Sequence, residues 1–374
     1  MRSEIGYKLR KRTGAAACLL AAARSLTVGS AVFATFIAMF TAVFIATLIA
    51  AQPSAQAAER AHAVILMYHR FGEADYPSTN VRLAQLEAHI AELKSGGYNV
   101  RPLSEIVAAF KNNRPLADRT VAITIDDAYA SVYREAWPRL KAAGFPFTVF
   151  VSTDQPGLQR TYMSWDQIRE LAANGVEIGH HGAAHAHMAT ISRLRVRTDL
   201  ARSTARFVKE LGASPKIFAY PYGEASLAVV KQVADSGLIA AFGQHSGVAV
   251  SGGDRYYFPR FAINETYGGL DRFRLAVNAL PIPVTDVAPA DMKLGTNPPA
   301  YGFTVTDRIS GIGKLSCFAS HLPTQVRIER LGQHRFEIRF EEPFPPGRAR
   351  VNCTLRTGEG RWRWLGRQFF VPKP

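Results

Sequence analysis

Between residues 62 and 263 the chain alternates short apolar runs with longer segments whose apolar residues recur every three or four positions. The short runs are rich in β-branched and aromatic residues and predict buried strands. The longer segments predict amphipathic helices, as in the one that contains Leu83, Leu86, Ile90 and Leu93. Strands that alternate with helices of ten or more residues form parallel βαβ units. Seven or eight such units in roughly 210 residues predict an α/β domain at 62–280, a distorted (β/α) barrel with its functional residues at the C-terminal strand ends.

A different pattern begins after Leu280. Five prolines between residues 281 and 299 predict a linker. From residue 300 to 374, short runs such as Arg335–Phe340 alternate polar and apolar residues between Gly/Pro turns, which predicts a small all-β sandwich. Cys317 and Cys353 both lie in this part, where they could form one disulfide or remain two buried thiols.

The N-terminal 57 residues have the composition of a targeting segment. Residues 1–24 are basic, and the stretch from Ser25 to Ala51 is uncharged, mostly apolar and long enough to span a bilayer. Ser54–Ala57 then offers a small-residue cleavage site. We therefore expect an exported protein, periplasmic, secreted or membrane-anchored, whose N-terminal segment is a cleaved signal peptide or an uncleaved anchor.

The charge of the chain adds a preference for acidic surroundings. The formal net charge is +15, of which six basic residues against Glu4 contribute +5 before residue 25. The remaining positive charge is spread along the chain without a dense Lys/Arg block. Because no base-reading motif accompanies this charge, we expect no nucleic-acid partner.

Two predicted strands end in polar clusters. The run from Val121 ends in Asp126 and Asp127, and the run from Val176 leads to His181 and His185, which are four residues apart. Taken alone, the acidic pair could cap a helix and the histidines could form a surface loop. Together they offer one carboxylate and two imidazoles, a common ligand set of catalytic divalent metals, and a second carboxylate that is free to act as a base.

These clusters resemble the motifs of the polysaccharide deacetylases of the NodB-homology type, carbohydrate esterase family 4. The resemblance covers roughly residues 62–270. Its Thr-Phe-Asp-Asp motif corresponds to Thr124–Asp127, its His-Ser/Thr-x-x-His motif to His181–His185, and its Arg-Pro-Pro-Tyr-Gly motif to Ala219–Gly223. Met67–Arg70 and Ser164–Asp166 are also typical of the branch that acts on exported polysaccharides.

The resemblance implies a role for each matching residue. Asp127, His181 and His185 would bind a divalent metal, with zinc as the metal we expect. Asp126 would be the general base, and Tyr222 would donate its backbone N–H to the oxyanion.

The sequence departs from the family pattern at three places. Gly182 replaces the Ser or Thr of the second motif, and Ala219 replaces the Arg of the third, which orients the base. Arg260 could supply the missing guanidinium, or it could be a simple surface cation. The family's final Leu-x-x-His, which provides the general acid, has no clear counterpart, so His245 and His69 are the candidates.

We therefore predict an exported, metal-dependent N-deacetylase that acts on polysaccharides or oligosaccharides with N-acetylhexosamine units. An uncleaved N-terminal segment would add contact with a membrane. Two alternatives stay open. One is an O-acetyl polysaccharide esterase with the same chemistry, and the other is a catalytically silent polysaccharide-binding protein.

Overall fold

The computed structural model describes residues 60–373, so the predicted signal peptide or anchor at 1–57 lies outside the described residues. The first eleven strands belong to the N-terminal part: β1 (His62–Tyr68), β2 (Arg70–Phe71), β3 (Asn80–Val81), β4 (Asn99–Val100), β5 (Thr120–Asp126), β6 (Thr148–Val151), β7 (Glu177–His180), β8 (Ile217–Ala219), β9 (Ala240–Phe242), β10 (Ala249–Val250) and β11 (Phe261–Ala262). The α-helices of the described chain are α1 (Leu83–Ser95), α2 (Leu103–Lys111), α3 (Trp137–Ala143), α4 (Trp165–Ala173), α5 (Arg193–Leu211), α6 (Leu227–Asp235) and α7 (Leu270–Val277).

The N-terminal part is a distorted (β/α) barrel, as predicted. Its central sheet runs in the order β1-β5-β6-β7-β8-β9, and every pair along this path is parallel. On the other side β1 pairs in parallel with β11. A single bridge from Phe242 of β9 to Phe258 joins the last strand of the path to the segment that continues into β11. This segment brings the curled sheet back to its first strand.

Both faces of the barrel strands are buried, which explains why the strands have continuous apolar sequences. In β1, Val64 and Leu66 belong to one hydrophobic cluster, whereas Ala63 and Ile65 belong to another. Successive side chains of a strand point to opposite faces, so each strand contributes to two cores. All seven residues of β1 and all seven of β5 are buried.

The C-terminal part consists of two four-stranded sheets packed around a common core. Its strands are β12 (Leu280–Pro281), β13 (Val284–Ala288), β14 (Tyr301–Val305), β15 (Ser316–Ala319), β16 (Arg327–Leu331), β17 (Arg335–Arg339), β18 (Gly347–Arg356) and β19 (Trp362–Val371). One sheet has the order β12-β19-β18-β15 and the other β13-β14-β17-β16. Phe303 and Phe336 of one sheet share a hydrophobic cluster with Val351 and Phe369 of the other. The predicted β-sandwich is present.

Two features of the sandwich settle or correct expectations from the sequence. Cys317 and Cys353 are paired across β15 and β18 and form a disulfide. The segment predicted as a linker, 281–299, instead contains β13, which pairs with β14. The prediction of a linker is wrong there. Of its five prolines only Pro281 lies in a strand, β12, a two-residue strand at the edge of its sheet where a missing N–H is tolerated.

The sandwich packs closely on the barrel. Gly366 of β19 touches the loop after β9, where a Cβ atom at Gly366 would lie 1.9 Å from the carbonyl oxygen of Ser246. The rings of Trp364 and Phe261 meet edge to face at 5.4 Å. The guanidinium of Arg361 also binds the carboxylate of Asp118 at 2.9 Å. Ser246 follows β9 whereas Asp118 precedes β5, so the sandwich contacts the barrel near both ends of its strands.

The helices deviate from expectation at two places. The helical segment after β5, which we expect from the sequence to be one regular helix near 131–143, begins with a π-helical turn, Val132–Ala136, before the regular helix α3. Helix α7 was not predicted, although Phe273, Ala276 and Val277 form its buried face. Across residues 60–373, none of the helices combines the length and the apolar character that a membrane span requires.

Candidate active site

Three predicted metal ligands converge at the C-terminal ends of β5 and β7. Asp127 follows β5 directly, and His181 and His185 lie in the loop after β7. The Nε2 atoms of His185 and His181 lie 3.0 and 3.4 Å from Oδ1 of Asp127. All three potential ligand atoms lie within 4.8 Å of one another. A single ion at ligand distances of about 2.0–2.2 Å can therefore reach all three.

The polar atoms of this triad fit a cation. Oδ1 of Asp127 and Nε2 of His181 are buried and have no hydrogen-bond partner among residues 60–373. The Nδ1–H of His181 donates to the carbonyl oxygen of Ala219 at 2.7 Å, so Nε2 is the nitrogen that can bind a metal once it carries no proton. Burial alone would raise the pKa of Asp127, but the two imidazoles hold it well below its ordinary value. The carboxylate is thus charged, as a metal ligand must be.

Asp126 is held by a buried arginine. Arg260 donates two parallel hydrogen bonds to the Asp126 carboxylate, at 2.7 and 2.8 Å, and both side chains are fully buried. Its remaining donors reach the carbonyl oxygen of Gly243 and the hydroxyl of Thr124. Burial would raise the pKa of Asp126, but the charge of Arg260 keeps it below its ordinary value. The structure thus brings Arg260 to the position at which a guanidinium can orient this carboxylate.

The histidine loop is fixed by a helix that the sequence did not connect to it. The Asp199 carboxylate, on α5, accepts hydrogen bonds from the backbone N–H groups of Ala183 and Ala184 at 2.8 and 2.9 Å. Ser203, one turn farther along, donates to the carbonyl oxygen of Gly182. A Cβ atom at Gly182 would lie 2.7 Å from the Asp199 carboxylate. The glycine in the second motif is therefore matched to Asp199, which holds the loop where the family has Ser or Thr.

Residues with left-handed backbone conformations concentrate at this site. Asp127, Ala128, His185 and Tyr222 have φ values of 74°, 55°, 51° and 60°. Such values are uncommon for residues other than glycine and persist where surrounding contacts impose them. The sharp turn at Asp127 directly after β5 lets two consecutive carboxylates serve one site, although neighbouring side chains in a strand diverge.

The Tyr222 loop is held from three sides. The imidazole of His187 stacks flat on the Tyr222 ring at 3.9 Å, and its Nδ1 lies 2.8 Å from the Glu224 carboxylate. The ring of the metal-ligand candidate His185 lies 4.5 Å from the same tyrosine. From the sandwich, the Gln368 amide donates to the Tyr222 carbonyl oxygen at 3.1 Å. Tyr222 is thereby placed beside the triad in a defined conformation.

The two candidate acids occupy different environments. His69 lies on the cleft wall at the end of β1. Burial lowers its pKa, while the nearby carboxylates of Asp127 and Asp126 act in the opposite direction. His245 is only 5% exposed, stacks on Tyr257 at 4.6 Å and does not line the cleft. Burial lowers the pKa of His245 to about 3. The structure therefore brings His69, and not His245, to the surface of the cleft.

The triad opens into a cleft of about 800 Å³ with walls from both parts of the chain. The barrel contributes the aromatic rings of Tyr129, Tyr162 and Tyr267, which suit contact with the faces of sugar rings. The sandwich contributes four residues: Arg348, Arg350, Asn352 and Trp364. Nothing in the sequence predicted that the second part of the chain reaches the site.

The remaining support residues were also missed at the sequence level. Asp199 was detectable in principle, because it is an acidic residue on the apolar face that Val196, Leu200 and Phe207 define on α5. Gln368 carries no comparable signal, since it is one polar position in an alternating strand.

Comparison with known proteins supports the resemblance seen in the motifs. Residues 113–241 match the family model described as polysaccharide deacetylase, and this range contains all three motifs. The predicted resemblance is confirmed. Arg260, His69 and the sandwich lie outside the matched range.

Two relatives and one solved structure illustrate the similarity. Poly-β-1,6-N-acetyl-D-glucosamine N-deacetylase of Escherichia coli (strain K12) is 26% identical over 218 residues, which cover 47% of this chain and 32% of that protein. The enzyme of the same name from Staphylococcus aureus (strain MSSA476) is 26% identical over 233 residues, covering 54% and 79%. The Streptococcus pyogenes deacetylase PplD in complex with acetate has a TM-score of 0.54 at 20% identity, covering 58% of this chain and 99% of that one. The last comparison shows a shared fold.

Proposed function

We propose that this chain, which carries a polysaccharide deacetylase domain at residues 113–241, is a metal-dependent hydrolase of carbon–nitrogen bonds. It would remove N-acetyl groups from polymers or oligomers with N-acetylhexosamine units and release acetate. The observation that carries the proposal is the convergence of Asp127, His181 and His185 beside a second carboxylate, Asp126, that Arg260 holds in its charged form. The names of the two relatives support an N-acetylhexosamine substrate.

Each residue at the site has a distinct role in this proposal. Asp127, His181 and His185 hold the metal, for which we propose zinc; when bound, it would polarise the acetamide carbonyl and make a water molecule more acidic. Asp126 accepts the proton of the attacking water, and Arg260 orients Asp126 for this transfer. The backbone N–H of Tyr222 donates to the oxygen that becomes negatively charged.

We propose His69 as the acid that protonates the departing amine. It shares the cleft with Asp127 and His185, whereas His245 is buried away from it. Replacement of His69 by Gln should slow hydrolysis of an N-acetyl sugar far more than hydrolysis of an aryl acetate, because a phenolate leaves without protonation. His245→Gln is the matched control and should slow the two substrates equally or not at all. Equal losses on both substrates for His69→Gln would remove His69 from this role.

The decisive experiment is acetate release from N-acetylglucosamine oligomers. We expect release that stops with a chelator and returns when zinc is added. His181→Ala should lower the bound metal below one equivalent, as measured by elemental analysis, whereas His245→Gln should retain it. Activity that a chelator does not change would contradict the metal proposal.

The same assay separates the two alternatives. Turnover of O-acetylated but not N-acetylated polysaccharide would indicate an esterase. Sugar binding without turnover of either substrate would indicate a binding protein.

We further propose that the protein is exported through its N-terminal segment. The basic residues before the apolar stretch support this. Fractionation of cells that express the full chain tests it, and recovery in the cytosol alone would contradict it.

A further inference from the structure

The cleft beside the triad is lined by three arginines and by only one carboxylate, Asp127, among the described residues. Arg272 comes from α7 of the barrel, and Arg348 and Arg350 come from β18 of the sandwich. Arg348 and Arg350 are two positions apart on one strand, so their side chains project from the same face. Positive charge is therefore concentrated on the wall where the two parts of the chain meet.

The positive charge of Arg350 is poorly compensated by neighbouring groups. Its Nε–H donates to the neutral amide oxygen of Gln368 at 3.1 Å, and it forms no ion pair with a carboxylate within residues 60–373. Burial, followed by the nearby charge of Arg348, lowers the pKa of Arg350. An arginine held next to another arginine with a neutral partner favours the approach of an anion.

The guanidinium of Arg272 also lacks a full set of hydrogen-bond partners. Its guanidinium lies 5.0 Å from the ring of Trp364 and 5.5 Å from that of Phe261, and one of its terminal nitrogens is buried without a hydrogen-bond partner in the described chain. Burial lowers the pKa of Arg272. Tyr267, Arg272 and Arg350 all line the same cleft, so these two arginines belong to one patch.

Arg348 connects the patch to the catalytic groups. Its guanidinium lies 5.7 Å from the Tyr222 ring, and that ring lies 4.5 Å from His185. The nearest carboxylate to Arg348 is Glu224 at 3.9 Å, and Glu224 is already engaged with His187. The patch thus begins one side chain away from the triad.

We propose that Arg272, Arg348 and Arg350 form a subsite for an anionic sugar unit that neighbours the N-acetylated unit in the substrate. The unit would carry a carboxylate or a sulfate ester, since guanidinium groups bind such planar or multi-oxygen anions through paired hydrogen bonds. This inference rests on the proposed N-deacetylase function and narrows its substrate to acidic heteropolysaccharides.

The test compares substrates that differ only in charge. Acetate release by the full chain is measured on an oligomer that alternates N-acetylglucosamine with glucuronic acid and on the same oligomer after methyl esterification of its carboxylates. We expect kcat/KM to be about tenfold higher for the free acid, mainly through KM, and the difference to shrink with added salt. A sulfated oligomer and its desulfated form distinguish sulfate from carboxylate as the preferred anion. Equal kcat/KM within both pairs would overturn the subsite while leaving N-deacetylation intact.

Variants locate the effect in the patch. Arg272→Gln and Arg350→Gln should each reduce the preference for the acidic oligomer, and Arg350→Lys should retain part of it because the charge remains. Arg356→Gln is the matched control, since Arg356 lies on the same strand but is exposed and outside the cleft. An unchanged preference in folded Arg272→Gln and Arg350→Gln would contradict the assignment.

Direct binding separates failure of the subsite from failure of the proposed function. If neither oligomer releases acetate, N-deacetylation is wrong, and calorimetric titration of the wild-type protein still decides the subsite. Tighter binding of the free acid than of its methyl ester would support it. Equal binding, or none, would overturn it.

Discussion

Arg260 and Asp126 lie 134 positions apart in the sequence and form a fully buried ion pair. Removal of one partner from such a pair leaves an unpaired charge in the interior, which costs about 3–5 kcal/mol. The pair therefore couples the stability of the barrel to the charge of the proposed base.

A double-mutant cycle measures this coupling. Arg260→Met should lower the free energy of unfolding by about 3–5 kcal/mol, and Arg260→Met combined with Asp126→Asn should recover part of that loss because the carboxylate is no longer charged. Urea unfolding provides the measurement. Arg356→Met, at an exposed position, serves as the control with an expected change of about 0.5 kcal/mol or less. Strictly additive losses would show that the two charges do not depend on each other.

Asp126→Asn alone tests the chemistry. The substitution should retain the metal, because Asp126 is not part of the triad, and reduce kcat by about 10²–10⁴. Metal analysis and acetate release on the same preparation give both values. An unchanged kcat would remove Asp126 from the role of base.

Spacing suggested one carboxylate of the Asp126–Asp127 pair together with His181 and His185, because strand ends and an i, i+4 histidine pair are visible in one dimension, and the family resemblance selected Asp127 as the ligand. The partner of Asp126 was harder to predict. From the sequence, Arg260 could be either the orienting guanidinium or a simple surface cation, since its contact depends on how a late segment returns to β1. The roles of Asp199 and Gln368 at the site were missed because each acts there through a hydrogen bond to a backbone group, and the sequence does not show which backbone groups a side chain will reach.

At the scale of elements, α1 and α7 are tied together by a buried histidine. The Nε2–H of His89, on α1, donates to the carbonyl oxygen of Gly268 just before α7, and its Nδ1 lies 3.2 Å from the hydroxyl of Tyr68. The imidazole also stacks on Phe273 of α7 at 4.0 Å. Burial lowers the pKa of His89 from 6.5 to about 4. This contact depends on the neutral ring.

The sign of the pH effect follows from that shift. Between about pH 6.5 and pH 4 the unfolded chain binds a proton at His89 that the folded chain does not, so stability falls as the pH falls through this window. From pH 7 to pH 5 the contribution of this one group is about 2 kcal/mol. In urea unfolding, the free energy of unfolding of His89→Gln should therefore fall from pH 7 to pH 5 by about 2 kcal/mol less than that of the wild-type protein. His334→Gln, at an exposed turn, is the control, and an identical pH dependence of His89→Gln and wild type would contradict the assignment.

The spacing of apolar residues predicted most strands and helices of the barrel, because each strand is buried on both faces and each helix is buried on one face. Helix α7 was missed since its eight residues contain Asp271, Arg272 and Arg274, which dilute a short apolar pattern. The short strand β13 was obscured by the surrounding prolines.

At the scale of the whole molecule, the sandwich is a wall of the cleft and not a separate appendage. The sequence predicted a second domain but no contact between it and the site, because the contacting residues, Arg348, Arg350 and Trp364, are spread over two alternating strands. Their common location becomes visible only once β18 and β19 lie against the barrel.

Gly366→Ala tests this packing. A methyl group at this position would overlap the carbonyl oxygen of Ser246, so the sandwich must shift, at a cost of about 1–3 kcal/mol. We expect a lower free energy of unfolding together with a higher KM for polymeric substrate. Gly358→Ala is the control, since nothing lies within 4 Å of a Cβ atom there. Wild-type KM in Gly366→Ala would show that the contact does not shape the cleft.

The absence of a side chain at position 366 has a consequence for how such a protein could diversify. Gly366 makes one of the close contacts that join the sandwich to the barrel, so a larger residue there would change the width of the cleft while the triad residues stay the same. Residues of increasing size at position 366 would move the sandwich by increasing amounts. Such variants would admit polysaccharide chains of different width while using the same catalytic residues.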